Sequence, residues 1–124
     1  MLTDRGLDAA LQSLADRTPL PVELSLCGRR FPEPIAAAAY YVVSEAIANV
    51  VKHARASSIA VQVSAPNGRA VVEVADDGVG GADPSEGSGL RGLADRVAVF
   101  DGNLRVESPV TGGTRVVAEI PLEV

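Results

Sequence analysis

The 124-residue sequence predicts an α+β domain, with helices packed on one face of a mixed β-sheet. Two observations carry this. Apolar residues switch along the chain between a spacing of three to four and strict alternation, the patterns of amphipathic helices and half-buried strands. The alternating runs also fall into hairpins, with helical segments between them.

Leu7, Ala10, Leu11 and Leu14 form the apolar stripe of a short first helix. Thr18-Pro19-Leu20-Pro21 ends it, because neither proline can continue the hydrogen-bond ladder. Val22-Glu23-Leu24-Ser25-Leu26 alternates as a half-buried strand should. Phe31-Pro32-Glu33-Pro34 breaks the chain and leads into the longest helix, expected from Pro34 to Ala54, with a proline suited to its first turn. Ile59 to Val63 and Ala70 to Val74 are strands joined across Ala65-Pro66-Asn67-Gly68-Arg69, where Asn-Gly marks a hairpin. The second of them delivers Asp76 into a glycine loop. Gly80 to Gly87 is polar and punctuated, hence a loop. Leu90 to Phe100 is helical, with Leu93, Val97 and Phe100 on one side. Asp101-Gly102-Asn103 turns into a last hairpin, Leu104 to Glu107 and Arg115 to Ile120, linked through Pro109 and Gly112-Gly113.

Composition sets the limits. A chain of 124 residues, 47% hydrophobic with mean hydropathy +0.19, builds one core and one domain, residues 1–124. Aromatics are only 3%, so that core is made of Val, Leu, Ile and Ala. A net charge of −5 disfavours nucleic acid as a partner. Cys27 is the single cysteine, which excludes an internal disulfide and a multi-cysteine metal site. No apolar run approaches the roughly 20 residues of a membrane span, and Met1 to Arg5 opens no signal peptide. The expectation is a cytoplasmic polypeptide without direct membrane contact, whatever spans a longer parent carries.

On the longest helix, Glu45 taken as zero puts Asn49 at about 40°, Lys52 at about −20° and His53 at about 80°. Ala36, Val43, Ala46, Ile47, Val50 and Ala54 then cluster on the far side. Glu45, Asn49 and Lys52 are expected on a polar face nearly opposite a core stripe.

Three stretches, in this order, read together as a nucleotide site: Glu45 to His53, Asp76-Asp77-Gly78-Val79-Gly80, and Gly87-Ser88-Gly89-Leu90-Arg91-Gly92-Leu93. They supply an amide oxygen for a cation, a carboxylate acceptor for a base, and glycine backbone opening a helix for phosphates. The third stretch also matches the dinucleotide fingerprint GxGxxG, with Glu107 about 20 residues beyond Gly87. That fingerprint needs a strand running straight into its first glycine. Here the lead-in is Asp83-Pro84-Ser85-Glu86, and the preceding strand ends near Ala75, so the Rossmann reading fails.

Glu45-x-x-x-Asn49-x-x-Lys52-His53-Ala54, Asp76-x-Gly78-x-Gly80, Gly87-x-Gly89-Leu90-x-Gly92-Leu93 and the late Gly112-Gly113-Thr114 resemble the asparagine, two glycine and terminal motifs of the GHKL ATPases. That superfamily contains gyrases, mismatch-repair ATPases, heat-shock chaperones and sensor histidine kinases. Lys52-His53-Ala54 and Gly89 to Val97 make the chain most similar to the catalytic ATP-binding domain of NarL-type histidine kinases. The resemblance spans about Leu7 to Leu122. It implies the Bergerat fold, a two-layer sandwich, with ATP and Mg²⁺ as ligands.

By that resemblance Asn49 ligates Mg²⁺, Lys52 meets the phosphates, and His53 lies near ribose or phosphates. Asp76 accepts from the adenine amino group with Thr114 in support, and Gly78 and Gly80 let the backbone pass close to the base. Gly87, Gly89 and Gly92, with Leu90 among them, shape a lid and expose N–H donors. Glu45 matches the position that polarises water in hydrolysing members, and is the candidate catalytic residue. The segment Gly81 to Glu86 is a short lid without a phenylalanine motif.

The implied activity is transfer of the ATP γ-phosphoryl group to a histidine on a separate dimerisation domain, and from there to a response regulator. His53, the only histidine, sits inside the nucleotide-binding helix and is not that acceptor. The dimerisation and sensor regions are therefore expected to lie outside this chain. Two rival functions are an anti-sigma-factor-type serine kinase and a non-enzymatic ATP-sensing module. The Arg91-Gly92-Leu93-Ala94-Asp95-Arg96 pattern counts against the first.

Overall fold

The structure is a computed structural model that describes residues 6–27, 31–54, 56–78, 90–107 and 113–122. Within them the order is α1 (Gly6–Arg17), β1 (Val22–Leu26), α2 (Glu33–Asn49) continued by a π-helical turn (Val50–Ala54), β2 (Ile59–Ser64), a 3₁₀ turn (Pro66–Gly68), β3 (Arg69–Asp76), α3 (Leu90–Ala98), β4 (Asn103–Glu107) and β5 (Thr114–Pro121). The strands form one sheet in the order β1-β2-β3-β5-β4. β1 runs parallel to β2 and the other pairs are antiparallel. A mixed sheet with helices on one face is the architecture the sequence predicts, and it excludes the parallel sheet of a dinucleotide-binding fold.

Side-chain alternation decides which face is covered. Ile59, Val61 and Val63 of β2, Ala70, Val72 and Val74 of β3, and Val116, Ala118 and Ile120 of β5 are buried in one cluster with α2 residues and Leu7, Leu11, Leu93 and Val97. The other face is polar. There Glu119 pairs with Arg69 and Arg105 at 3.6 and 3.8 Å, and Arg115 pairs with Glu73 and Glu107 at 3.3 and 3.8 Å. Val117 is buried on this outer face, with Glu73 and Arg105 as its register neighbours. The aliphatic stems of such long charged side chains cover apolar surface while their heads stay in water.

Two expectations about α2 need correction. Burial is not confined to Ala36, Val43, Ala46, Ile47 and Val50; it continues round to Ile35, Ala38, Ala39 and Val42. The cause is that α1 and α3 flank α2 while the sheet lies beneath it, so only a narrow strip stays polar. For the same reason Glu33–Lys52, 20 residues long with mean hydropathy 1.4 over its most apolar 18, is long and apolar enough to cross a bilayer. Half of it is buried inside the protein's own core. The expectation that no such run exists was wrong, because a helix enclosed on three sides carries the composition of a membrane span.

The hairpins obey local turn chemistry. Asn67 adopts φ 56° at the β2–β3 turn, the left-handed conformation expected of Asn-Gly. α3 closes with its last orphan carbonyls satisfied: Asp101 N–H donates to Ala98 at 3.0 Å and Gly102 N–H to Val97 at 3.1 Å, with Asp101 at φ 62°. Gly102 is required by close approach. A Cβ there would overlap the Glu119 carbonyl oxygen and sit 2.8 Å from Val97 Cγ1. Gly102→Ala is therefore expected to destabilise the domain by about 1–3 kcal/mol. Gly92→Ala, on exposed helix with nothing within 4 Å of the added carbon, is expected to stabilise by about 0.5–1 kcal/mol. Opposite shifts in thermal midpoint would bear this out, and equal shifts would contradict it.

Candidate nucleotide site

The described part of the second stretch lies at the edge of the sheet where β2 begins, β3 ends and β5 begins. In register, Asp76 at the end of β3 lies opposite Ile59 on one side and Thr114 on the other. The loop after Asp76 is stitched to its neighbours. Gly78 N–H donates to Asp76 Oδ1 at 2.7 Å, and Gly113 N–H donates to the Gly78 carbonyl at 2.6 Å. Gly113 has φ 79°, and a Cβ on it would lie 3.1 Å from the Asp76 carbonyl oxygen. Glycine before Thr114 is thus a requirement of the site, and one that the choice of Thr114 alone overlooked.

Asp77 is the second residue that sequence reasoning missed. Its Oδ1 accepts from the backbone N–H groups of Ser57 and Ser58 at 2.8 and 3.1 Å. Its Oδ2 accepts from the two serine hydroxyls at 3.1 and 3.5 Å. Two adjacent carboxylates thus have opposite environments. Burial raises the Asp76 carboxyl above its ordinary value of 3.8, against the lowering effect of the Gly78 N–H, and the charge of Asp77 adds to the rise. Asp77, fully exposed, is lowered, chiefly by the Ser57 and Ser58 N–H groups. The sequence signal for this was the doubled Asp76-Asp77 with Ser57-Ser58 just ahead of β2, which no spacing rule connects.

α2 carries the other half. Glu45 and Asn49 are one turn apart and half-buried, and Lys52 is exposed. The helix does not keep α geometry through them: Val50–Ala54 is a π turn, so the constant rotation used to place Lys52 and His53 fails beyond Asn49. Asn49 Nδ2 is buried with no hydrogen-bond partner. A buried amide group left in that state costs about 1–3 kcal/mol, so its retention is not explained by the stability of the empty domain. His53 lies in the π turn and Leu90 opens α3, where Gly92 is exposed; the side chains of His53 and Leu90, and Gly80, Gly87 and Gly89 altogether, lie outside what the structure describes. No group of three or more His, Cys, Asp or Glu able to hold a metal occurs among the described residues.

A family model described as histidine kinase-, DNA gyrase B- and HSP90-like ATPase matches residues 35–124. The chain belongs to this ATPase family. The sensor histidine kinase MctS of Rhizobium johnstonii is 38% identical to it across 92% of this chain and 27% of its own length. The oxygen sensor histidine kinase NreB of Staphylococcus carnosus is 31% identical across 98% of this chain and 38% of its own. Among solved structures, the blue-light activated histidine kinase of Erythrobacter litoralis EL346 superposes with a TM-score of 0.78 at 29% identity, over 94% of this chain and 40% of that one. The chain spans about a quarter to two-fifths of these relatives. They also extend the likeness to α1 and β1, which the family model leaves out. This is an ATP-binding domain of the histidine-kinase type, in the fold that the motifs implied.

The two carboxylates give a stability test with opposite signs. Asp76 is raised in the folded state, so its ionisation costs the fold nothing below the unfolded value of 3.8 and progressively more as pH rises through the folded value. Asp77 is lowered, so its contribution is present above 3.8 and lost as pH falls through its folded value. Asp76→Asn, which keeps an acceptor for Gly78, is expected to melt higher than wild type at neutral pH, the gap closing below about pH 4. Thermal melts across that range check it. A lower midpoint at neutral pH would contradict it.

Proposed function

We propose that this domain binds Mg²⁺-ATP and donates the γ-phosphoryl group to a histidine on a separate helical dimerisation domain of its parent, for onward transfer to a response regulator. The observation that carries the reading is the half-buried Asp76 carboxylate, held by the Gly78 N–H and placed opposite Thr114. With Oδ1 engaged by the loop, Oδ2 is the acceptor we assign to the adenine amino group. A raised carboxyl fits that task, because a hydrogen-bond donor on the base stabilises its ionised form.

The buried, unpartnered amide of Asn49 fits a metal ligand, since its Oδ1 is a hard neutral oxygen. Mg²⁺ takes one or two protein oxygens and shares the rest of its shell with phosphates and water, so a single amide oxygen suits it. When bound, the ion neutralises charge on the transferring phosphoryl group. Lys52, exposed just beyond, is assigned to the phosphates with His53, and Gly80, Gly87, Gly89, Leu90 and Gly92 to the backbone cover over them. Glu45, one turn before Asn49, is assigned to ordering the water around the metal. Use of ATP supports a cytoplasmic setting for the domain, whatever spans its parent carries.

Base recognition is tested by calorimetry. Asp76→Asn is expected to weaken ATP binding by about 1.5–3 kcal/mol, the range for a hydrogen bond to a charged group. GTP should bind the wild type poorly, because its O6 carbonyl would face the Asp76 carboxylate. Asn49→Ala should leave the fold intact and remove the Mg²⁺ dependence of binding. Equal ATP and GTP affinity, or an unchanged Mg²⁺ response in Asn49→Ala, would refute these assignments.

Phosphotransfer is tested with the histidine-bearing hairpin of the parent. Alone, the 124-residue chain is expected to bind ATP without forming phosphohistidine. Added in trans, the hairpin should be labelled slowly, below the rate of the intact protein, where linkage supplies a high effective concentration. Acid-labile phosphate on His53 in the isolated chain would overturn this reading.

A further inference from the structure

Between Asn49 and β2 the chain passes through the π turn Val50–Ala54 and then Ser57 and Ser58 before it re-enters the sheet at Ile59. Of the residues assigned to metal and phosphate, Asn49 precedes this passage, and Lys52 and His53 lie within its π turn. The residue assigned to the base, Asp76, lies at the far end of β3. Core packing holds the start of the passage through Val50, which is buried. Val51 and Lys52 are exposed, so packing does not hold these two residues. The π turn adds to the need for support, because it is a rare departure from α geometry that persists where surrounding structure maintains it.

At the far end Ala56 packs against the core and Ile59 N–H donates to the Pro21 carbonyl at 3.0 Å, and one side chain ties down the two serines between them. Asp77 takes four hydrogen bonds from Ser57 and Ser58, two from backbone and two from hydroxyls. It is exposed to solvent and adjoins the residue assigned to the base. We propose that Asp77 is a positioning residue that sets the phosphate-binding end of α2 against the adenine-binding carboxylate, coupling the two halves of the nucleotide site. Asp77 touches neither base nor metal in this scheme. It acts through Ser57 and Ser58.

The chemistry of the contact supplies a discriminating variant. Both backbone N–H groups meet a single oxygen, Oδ1, at 2.8 and 3.1 Å. Asparagine offers that same oxygen, and its amide can donate to the serine hydroxyl oxygens in place of Oδ2. Alanine offers neither. The coupling should therefore survive Asp77→Asn and fail in Asp77→Ala, which a role resting on charge would not do.

This inference rests on the nucleotide-site reading above, and the test separates the two. Affinities of ATP with Mg²⁺ and of adenosine are measured by NMR titration of the full chain, which reaches the weak binding of the nucleoside. In Asp77→Ala the ATP affinity is expected to fall about tenfold, as for loss of hydrogen bonds to a charged group, while adenosine affinity changes less than about twofold. Asp77→Asn should restore the wild-type ratio. Amide exchange in 50–58 should quicken in Asp77→Ala without change in β3 and β5. Ser57→Ala with Ser58→Ala, which keeps the backbone bonds, should shift the ratio the same way by less, and serves if Asp77→Ala does not fold. Equal losses for ATP and adenosine, or none for either, would overturn the coupling. Absence of ATP binding by the wild type would instead overturn the site itself.

Discussion

The register of β3 between β2 and β5 is the constraint on which the candidate site depends. Because side chains alternate with period two, a slip of one residue would turn Ala70, Val72 and Val74 out of the core and carry Asp76 away from Thr114. Burial of those three residues beneath α2 therefore fixes the place of a carboxylate that contributes nothing to the core itself. The positions of Gly78, Gly113 and the Ser57-Ser58 contact all follow from that register. Core packing and site geometry are one decision, made by the pleat of a single strand.

α2 shows the complementary strategy. It is held on three sides, by the sheet, α1 and α3, so its orientation is settled by apolar contact over most of its circumference. That enclosure leaves a narrow polar strip in which Glu45 and Asn49 stand one turn apart. The Asn49 amide, buried and unpartnered on one side, is a local departure from the rule that buried polar groups are satisfied. The π turn that follows is a second departure. Such departures are tolerated where the rest of the fold supplies stability, and they gather here at one end of one helix.

The outer face of the sheet illustrates how little charge contributes when exposed. The Arg69–Glu119–Arg105 and Glu73–Arg115–Glu107 groups lie at 3.3 to 3.8 Å with side chains substantially open to solvent, so each pair is worth at most about 1 kcal/mol. Their structural service is the cover they give to Val117 and the solubility of an otherwise bare sheet face. By contrast, the bonds to Asp77 are a local geometric clamp, with one exposed carboxylate holding the two residues that lead into β2.

The sequence by itself determined the element types, because periods of two and of three to four set the pairing of Ile59–Ser64 with Arg69–Asp76 and the amphipathic helices before any long-range contact forms. It also carried the expectation of a nucleotide domain, since Asn49, Asp76 and the glycine motifs point to one by residue type and order alone. Only the tertiary structure decided how far α2 is enclosed, since burial of Ile35, Ala38 and Val42 depends on where α1 and α3 come to rest. The π turn belongs to the same class, because it depends on where the helix end must meet β2. So does the contact of Asp77 with Ser57 and Ser58, about twenty residues apart in sequence. A hydrogen bond between distant loops has no period and no local signal; it exists because the sheet brings the end of β3 beside the start of β2.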